Sequence, residues 1–339
     1  MAAKSASSSR AVILGLLLSA AAAAWLFSKL SFAELAAGLR AADARWLVAS
    51  LGLFFAMFGV RAYRWAVLLG GTPFSTTWHA NAIGYFFNAT LPLRAGEVAR
   101  AYVIAKKTGM PIARALSAVL VERLLDLPSV VLLFFWFARR IPMRPAFTSA
   151  ATVGAIAFAV CVLVAAVFVH RADAAARRLR PLLERRLGVK RADAALSKLV
   201  QVKDALKAVG SPRRMAESIA LTVLVWALTI ALAEVCLHAF MPDIADVSKA
   251  GLVVVMANLG GALPSAPGGL GIVQSFATSA LVVPFGAPEG GALAFVLAWS
   301  LGQTLVLVAL GIVSIGRLGL SFNEIRQRSA ALGSTDVTG

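Results

Sequence analysis

The chain alternates long apolar runs with short polar or basic interruptions. Full spans read at about 46–69, 113–137, 149–169, 217–240 and 290–315, each near the roughly 20 residues that a helix needs to cross a hydrocarbon layer. Residues 11–28, AVILGLLLSAAAAAWLFS, follow a short basic segment and read as an uncleaved first spanning helix. A signal peptide cut between Ala20 and Ala24 is the alternative. Two further apolar segments are broken. Residues 78–105 are interrupted by Asn88, Pro92 and Gly96, and residues 250–285 by PSAPGGLG, from Pro264 to Gly271. Proline removes a backbone donor and restrains the residue before it, so each segment predicts two short helices joined by irregular backbone. Such backbone survives at membrane depth only inside protein or along a wet cavity.

The fold class that follows is all-α: a polytopic membrane bundle of six spanning helices and two re-entrant helical hairpins. Its domain is residues 1–316, with a short cytoplasmic tail at 317–339. Charge sets the orientation. Segment 170–216 carries 13 Lys and Arg against 4 Asp and Glu, so the positive-inside rule makes it cytoplasmic, together with both termini. Within it Leu196, Leu199, Leu206 and Val209 fall at helical spacing among basic residues, an amphipathic pattern suited to the membrane interface. Arg139, Arg140 and Arg144 are discordant, because this topology puts them in an outer loop. The first broken segment then enters from the cytoplasmic side and the second from the opposite side. That is the pattern of inverted repeats in transporters, where substrate sits near the midplane between half-helices. Only hydropathy and punctuation carry the likeness; no clear sequence repeat accompanies it.

Composition narrows the class further. Of 339 residues 60% are hydrophobic and 14% charged, and the mean hydropathy is +0.82. The net charge of +17 would suggest nucleic acid for a soluble protein, but here the basic excess lies beside membrane segments and points to anionic headgroups instead. Cys161 and Cys236 lie in apolar segments, and His79, His170 and His238 are scattered, so neither a disulfide framework nor a metal site is expected. No cofactor loop is present, and without a G-x-x-x-x-G-K-[ST] motif no P-loop couples this chain to ATP.

Against this background six ionisable residues stand out. Arg94, Glu97 and Arg100 lie in LPLRAGEVARAY, and Glu122, Arg123 and Asp126 in SAVLVERLLDLPSVVLLFFWF. A lone charge at the bilayer centre costs about 3 kcal/mol on insertion scales, so six unpaired ones would cost about 18. Most folds are stable by only about 5–15 kcal/mol. The six must be paired or hydrated, and three arginines against three carboxylates form a neutral set. Glu122, Arg123 and Asp126 share one helical face, about 15 Å into their helix at 1.5 Å per residue, close to the middle of the core. Arg94, Glu97 and Arg100 share another face if their helix starts near Arg94. Two readings stand side by side. The charges lock two elements together, or Arg94 or Arg100 meets an anionic group while the acids orient the arginines, the planar guanidinium fork being suited to phosphate. In PSAPGGLG the residues Pro264, Ser265, Gly268, Gly269 and Gly271 offer either a bend or a close backbone approach to a ligand. A helix starting near Gly271 would present free N–H groups, with Gln274 in its first turn and Asn258 a weaker polar neighbour.

LPLRAGEVARAY, VERLLDL about 25 residues later and PSAPGGLG nearer the end resemble the signature of the lysylphosphatidylglycerol synthase transmembrane family, the flippase-like membrane domain. Arg94, Gly96, Glu97, Arg100, Glu122, Arg123 and Asp126 match its typical positions. Where many members have an acid three residues after Gly-Leu-Gly, this chain has Gln274. The resemblance implies movement of a polar or anionic lipid, phospholipid, glycolipid or polyprenyl-linked, across the bacterial inner membrane. It equally implies a supporting role in glycolipid or hopanoid assembly, with a homo-oligomer or lipid-biosynthesis enzymes as partners. It does not imply lysyl transfer, since nothing after residue 316 is long enough for the aminoacyl-transfer domain of two-part members. A non-enzymatic transporter is therefore expected, with a membrane enzyme or enzyme subunit acting on a lipid precursor as the alternative.

Overall fold

The computed structural model describes residues 32–91, 95–139, 172–189, 192–193, 196–197, 212–262 and 271–327, and no strand occurs among them. The expected spans at 11–28 and 149–169 lie outside the described residues, as do Arg140, Arg144, His170, Cys161, Leu199, Leu206 and Val209. In chain order the helices are α1 (Phe32–Ala41), α2 (Ala44–Leu68), α3 (Phe74–Thr90), α4 (Gly96–Thr108), α5 (Ile112–Ala138), α6 (Ala172–Leu187), α7 (Pro212–Phe240), α8 (Val247–Ala262), α9 (Ile272–Phe285) and α10 (Glu289–Arg317).

Helices α2, α7 and α10 are long and apolar enough to cross a membrane. With 27 residues α5 has the length too, but Glu122, Arg123 and Asp126 interrupt its apolar character. Val48, Leu132, Val223, Val283 and Leu305 are each at least 66% exposed. In water such a surface would be an association liability; against hydrocarbon it costs nothing.

Helix α2 starts at an Asp43 cap, whose carboxylate accepts the Arg45 N–H at 2.8 Å, and the Asp43 N–H donates to the Ala239 carbonyl at 3.0 Å. The start of α2 therefore meets the end of α7, and the two long helices pack antiparallel. The other end of α2 closes on Gly70 and Gly71, with φ of 86° and 96°, a backbone region that glycine enters without steric cost. Arg114 and Arg214 adjoin Gly70 and mark this as the basic end of the bundle.

Two hairpins enter from opposite ends. Helix α3 leaves the basic end at Phe74, and α4 returns to it, where Tyr102 and Lys106 both bond Glu324. Residues 320–326 close over this hairpin: Ile325 is buried, and Phe322 stacks on Phe87 at 5.2 Å. Helix α8 starts at the opposite end, beside the 3₁₀ turn Pro242–Ile244, and α9 comes back to it, with the Lys249 ammonium 5.3 Å from the Phe285 ring. At 1.5 Å per residue α4 spans only about 20 Å, too short for a hydrocarbon core of about 30 Å.

The order span, half-helix, half-helix, span thus occurs twice, as α2–α3–α4–α5 and α7–α8–α9–α10, in opposite senses. The packing agrees. In the first half α2 packs on α3, α3 on α4, α4 on α5 and α2 on α5; in the second the same four pairings recur from α7 to α10. Across the halves, α3 on α10 mirrors α8 on α5. The register matches at residue level. A side chain at Gly84 would sit 2.9 Å from the Gly96 carbonyl and 3.0 Å from the Arg100 Cβ; one at Gly260 would sit 3.2 Å from the Ile272 carbonyl and 3.1 Å from the Phe276 Cβ. Both returning half-helices end on a left-handed glycine, Gly109 at φ 70° and Gly286 at φ 62°, and two residues later Pro111 and Pro288 start the next span. The hydrophobic core divides accordingly. One cluster gathers around α3, α4 and the basic ends of α2 and α5, the other around α7, α8, α9 and the first half of α10.

Candidate functional site

The charges meet where α2, α4 and α5 converge near the basic end. Glu122 and Asp126, one turn apart on α5, both face α2 and both bind Arg64. Its guanidinium reaches Glu122 Oε1 at 2.8 Å, Asp126 Oδ1 at 2.7 Å and Thr222 Oγ1 on α7 at 2.9 Å. The Thr222 hydroxyl in turn donates a hydrogen bond to the Ser218 carbonyl at 2.7 Å. The other oxygen of Glu122 takes Arg100 of α4 at 2.6 Å, and Arg100 also donates to Asn81 Oδ1 on α3 at 2.9 Å. The flat face of Arg100 lies 4.7 Å from the Trp65 ring, a cation–π contact on a desolvated guanidinium. Arg123 points away from this pair. It binds Glu97 of α4 at 2.7 Å and lies 3.8 Å from Asp126.

A continuous chain results: Glu97, Arg123, Asp126, Arg64, Glu122, Arg100. Three cations and three anions make it neutral, which is what burial in low dielectric demands. It is graded in exposure. The side chains of Arg64, Glu122 and Arg100 are 5% exposed or less, whereas Asp126, Glu97 and Arg123 rise to 17%, 22% and 34%. One half is sealed and the other is partly exposed.

The local sequence explains how the hairpin delivers its share. Gly96 opens α4, and its N–H donates to Asn88 Oδ1 at 2.9 Å, tying the start of the returning helix to the end of the outgoing one. Any side chain at Gly96 would strike the Gly84 carbonyl, so only glycine allows the approach that brings Arg100 over Glu122. Helix α4 starts at Gly96, two residues after Arg94, which itself lies outside the described residues. Glu122 lies ten residues, about 15 Å, into α5 as the hydropathy predicts, and its partner Arg64 lies four residues, about 6 Å, from the basic end of α2. The lock therefore sits in the basic half of the bundle.

In the second hairpin Pro264, Ser265, Gly268 and Gly269 lie outside the described residues. Gly271 caps α9 at φ 86°, and Gln274 turns back so that its Oε1 accepts the Gly271 N–H at 2.8 Å, while its Nε2 donates to Ser300 at 3.2 Å. Gln274 thereby satisfies one of the free N–H groups expected at this helix start. Asn258 donates to the Val254 carbonyl of its own helix at 2.8 Å. Among the described residues no bond joins Gln274 to the charge chain. An open cavity of about 670 Å³ lies at the far end of the bundle, lined by Glu234, Asp246, Ser248, Lys249 and Phe285, at the base of the second hairpin.

Sequence reading missed Arg64, Thr222, Asn81 and Trp65. The signal for Arg64 was present in RAYRW: two arginines three residues apart in an apolar span.

A family model, the transmembrane region of lysylphosphatidylglycerol synthase, matches residues 12–311. The chain belongs to this family. The match runs through both hairpins and every long helix described here, and membership makes the protein a membrane protein of lipid-related function. No curated protein and no solved structure matches it. As a family member it carries its charges on three elements, one of them a span outside the motifs that announced it.

Proposed function

We propose that the protein moves a polar or anionic lipid headgroup from one leaflet to the other while its acyl chains stay in the bilayer. The observation that carries this reading is the split charge chain. A purely structural lock would be sealed throughout, whereas here Asp126, Glu97 and Arg123 keep 17%, 22% and 34% of their side chains exposed, and on this reading they line a groove beside the first helical hairpin. The sealed half, Arg64, Glu122 and Arg100, holds α2, α4 and α5 in register. The open half can exchange partners: a headgroup phosphate entering the groove competes with Glu97 for the planar fork of Arg123. Arg94, beside the start of α4 in sequence, belongs with this half as a further headgroup ligand. The inverted hairpins supply a route that one end serves after the other.

The test is headgroup translocation in liposomes carrying the purified full chain, read from the accessibility of a fluorescent lipid to a membrane-impermeant quencher. Wild type should exceed protein-free liposomes. Arg123→Gln should slow transfer by about tenfold or more, the value of a lost charge-assisted hydrogen bond, at a smaller cost in thermal stability than Glu122→Gln because the site is partly exposed. Transfer no faster than in empty liposomes refutes transport. Unaltered transfer by Arg123→Gln refutes the groove assignment.

A further inference from the structure

Arg61 lies one turn before Arg64, inside the α2 span and half-buried. It stands outside the neutral chain. Among the described residues it has no carboxylate partner; its Nη1 donates to the Tyr85 hydroxyl at 2.5 Å, and its guanidinium carbon lies 5.7 Å from the Tyr85 ring centroid. Its Nε, like that of Arg64, Arg100 and Arg123, is buried without an acceptor. The wall formed by the six-charge chain and Arg61 thus carries one net positive charge, at membrane depth, on the side where the chain opens.

We propose that Arg61 and Tyr85 form an anion subsite that selects lipids whose headgroup carries one net negative phosphodiester charge. This rests on the lipid reading of the groove and names its substrate class. Tyr85 accepts from Arg61 and keeps its own O–H to donate, so the two residues offer an oxyanion a guanidinium edge and a phenol proton together. Arg123, the most exposed cation of the chain, lies near enough to Tyr85 to feel its charge, so the two arginines act on the same side of the wall. Phe58 packs 6.1 Å from the Tyr85 ring and 4.7 Å from Trp78, giving the subsite an apolar flank. A zwitterionic headgroup brings a cation as well. Its two charges cancel, so it leaves the wall's excess of one positive charge in place, whereas a monoanion neutralises it. Charge balance therefore favours the monoanion.

The experiment is native mass spectrometry of the full chain with lipid pairs in the same sample: phosphatidylglycerol or a polyprenyl phosphoryl hexose, each against phosphatidylcholine. The anion-to-zwitterion ratio is internal to each sample and independent of the fraction folded. Wild type should prefer at least one of the two anionic lipids by about tenfold, and which one identifies the source of the phosphodiester. Arg61→Gln should bring the ratio to about one, Arg61→Lys should retain part of it, and Tyr85→Phe should lower it by about threefold. Equal binding of anion and zwitterion by wild type overturns the proposal, as does a ratio unchanged by Arg61→Gln. Failure of transport with the binding preference intact refutes the translocation reading alone.

Discussion

Replacing Glu122 by Gln isolates the sealed half of the charge chain. The carboxylate takes Arg64 at 2.8 Å and Arg100 at 2.6 Å with 3% of its side chain exposed. Gln keeps the shape and one acceptor oxygen, but its NH₂ must face a guanidinium, and the chain goes from neutral to a net charge of +1. Breaking a buried pair by removing one partner costs about 3–5 kcal/mol. That is a large share of the roughly 5–15 kcal/mol that holds a typical fold. The cost should fall when Arg100 is replaced as well, because Glu122→Gln with Arg100→Gln restores neutrality. The coupling in this double-mutant cycle should reach the upper part of the range of about 0.5–3 kcal/mol seen for contacting residues. Reversible unfolding in bicelles or mixed micelles, followed for the two single variants and the double, supplies the four corners. A cost for Glu122→Gln below about 1 kcal/mol, or a coupling below about 0.5 kcal/mol, would show that the chain is held by surrounding packing and not by its charges.

Two further outcomes follow from the hairpins. Gly96→Ala should prevent the α3–α4 hairpin from closing and abolish folded protein on size-exclusion chromatography, whereas Gly52→Ala, with open space around it, should be tolerated; equal yields of both would contradict the close approach. At the base of the second hairpin the Asp246 carboxylate accepts the Ser248 and Lys249 N–H groups at 2.7 and 2.9 Å and pairs with the Lys249 ammonium at 2.7 Å. Partial burial alone would raise its pKa, but the Lys249 bonds outweigh it and hold the carboxyl below its ordinary value. A depressed carboxyl stabilises fully above the unfolded pKa and loses that contribution as pH falls through the folded one. Hydrogen exchange at Ser248 and Lys249, corrected for intrinsic rates, should therefore accelerate below about pH 4. Asp246→Asn should abolish this pH dependence, and an unchanged profile would refute the assignment.

The hairpins were legible because their punctuation is chemical: Pro92 and Gly96 in one, and the prolines and glycines of PSAPGGLG in the other, disfavour an unbroken helix. Among the described spans the ends were legible to within about five residues, α5 starting at Ile112 where the hydropathy places 113 and α7 at Pro212 where it places 217. Charge pairing was not. Arg94, Arg100 and Arg123 already balance three carboxylates, so the count gave no reason to look for Arg64, which performs that task in the described chain. Nor does a helical arc reveal that Arg123 turns to Glu97 while its neighbour Glu122 turns to Arg64. That depends on how α2 and α4 cross α5, and crossing is set by packing across elements far apart in sequence. The repeat was faint for a different reason. Gly109-Met110-Pro111 and Gly286-Ala287-Pro288 share only two identities, and the glycine contacts of Gly84 and Gly260 match in geometry while their partners Arg100 and Phe276 do not.

That last mismatch has a consequence for the bundle as a whole. The glycine contacts make Arg100 and Phe276 counterparts, one tied to a carboxylate and the other a hydrocarbon ring. The scaffold is the same read from either side, but its decoration is not. Two inverted hairpins with one charge chain thus give the bundle a polarity of its own: the ion pair at Arg100 has no counterpart at Phe276.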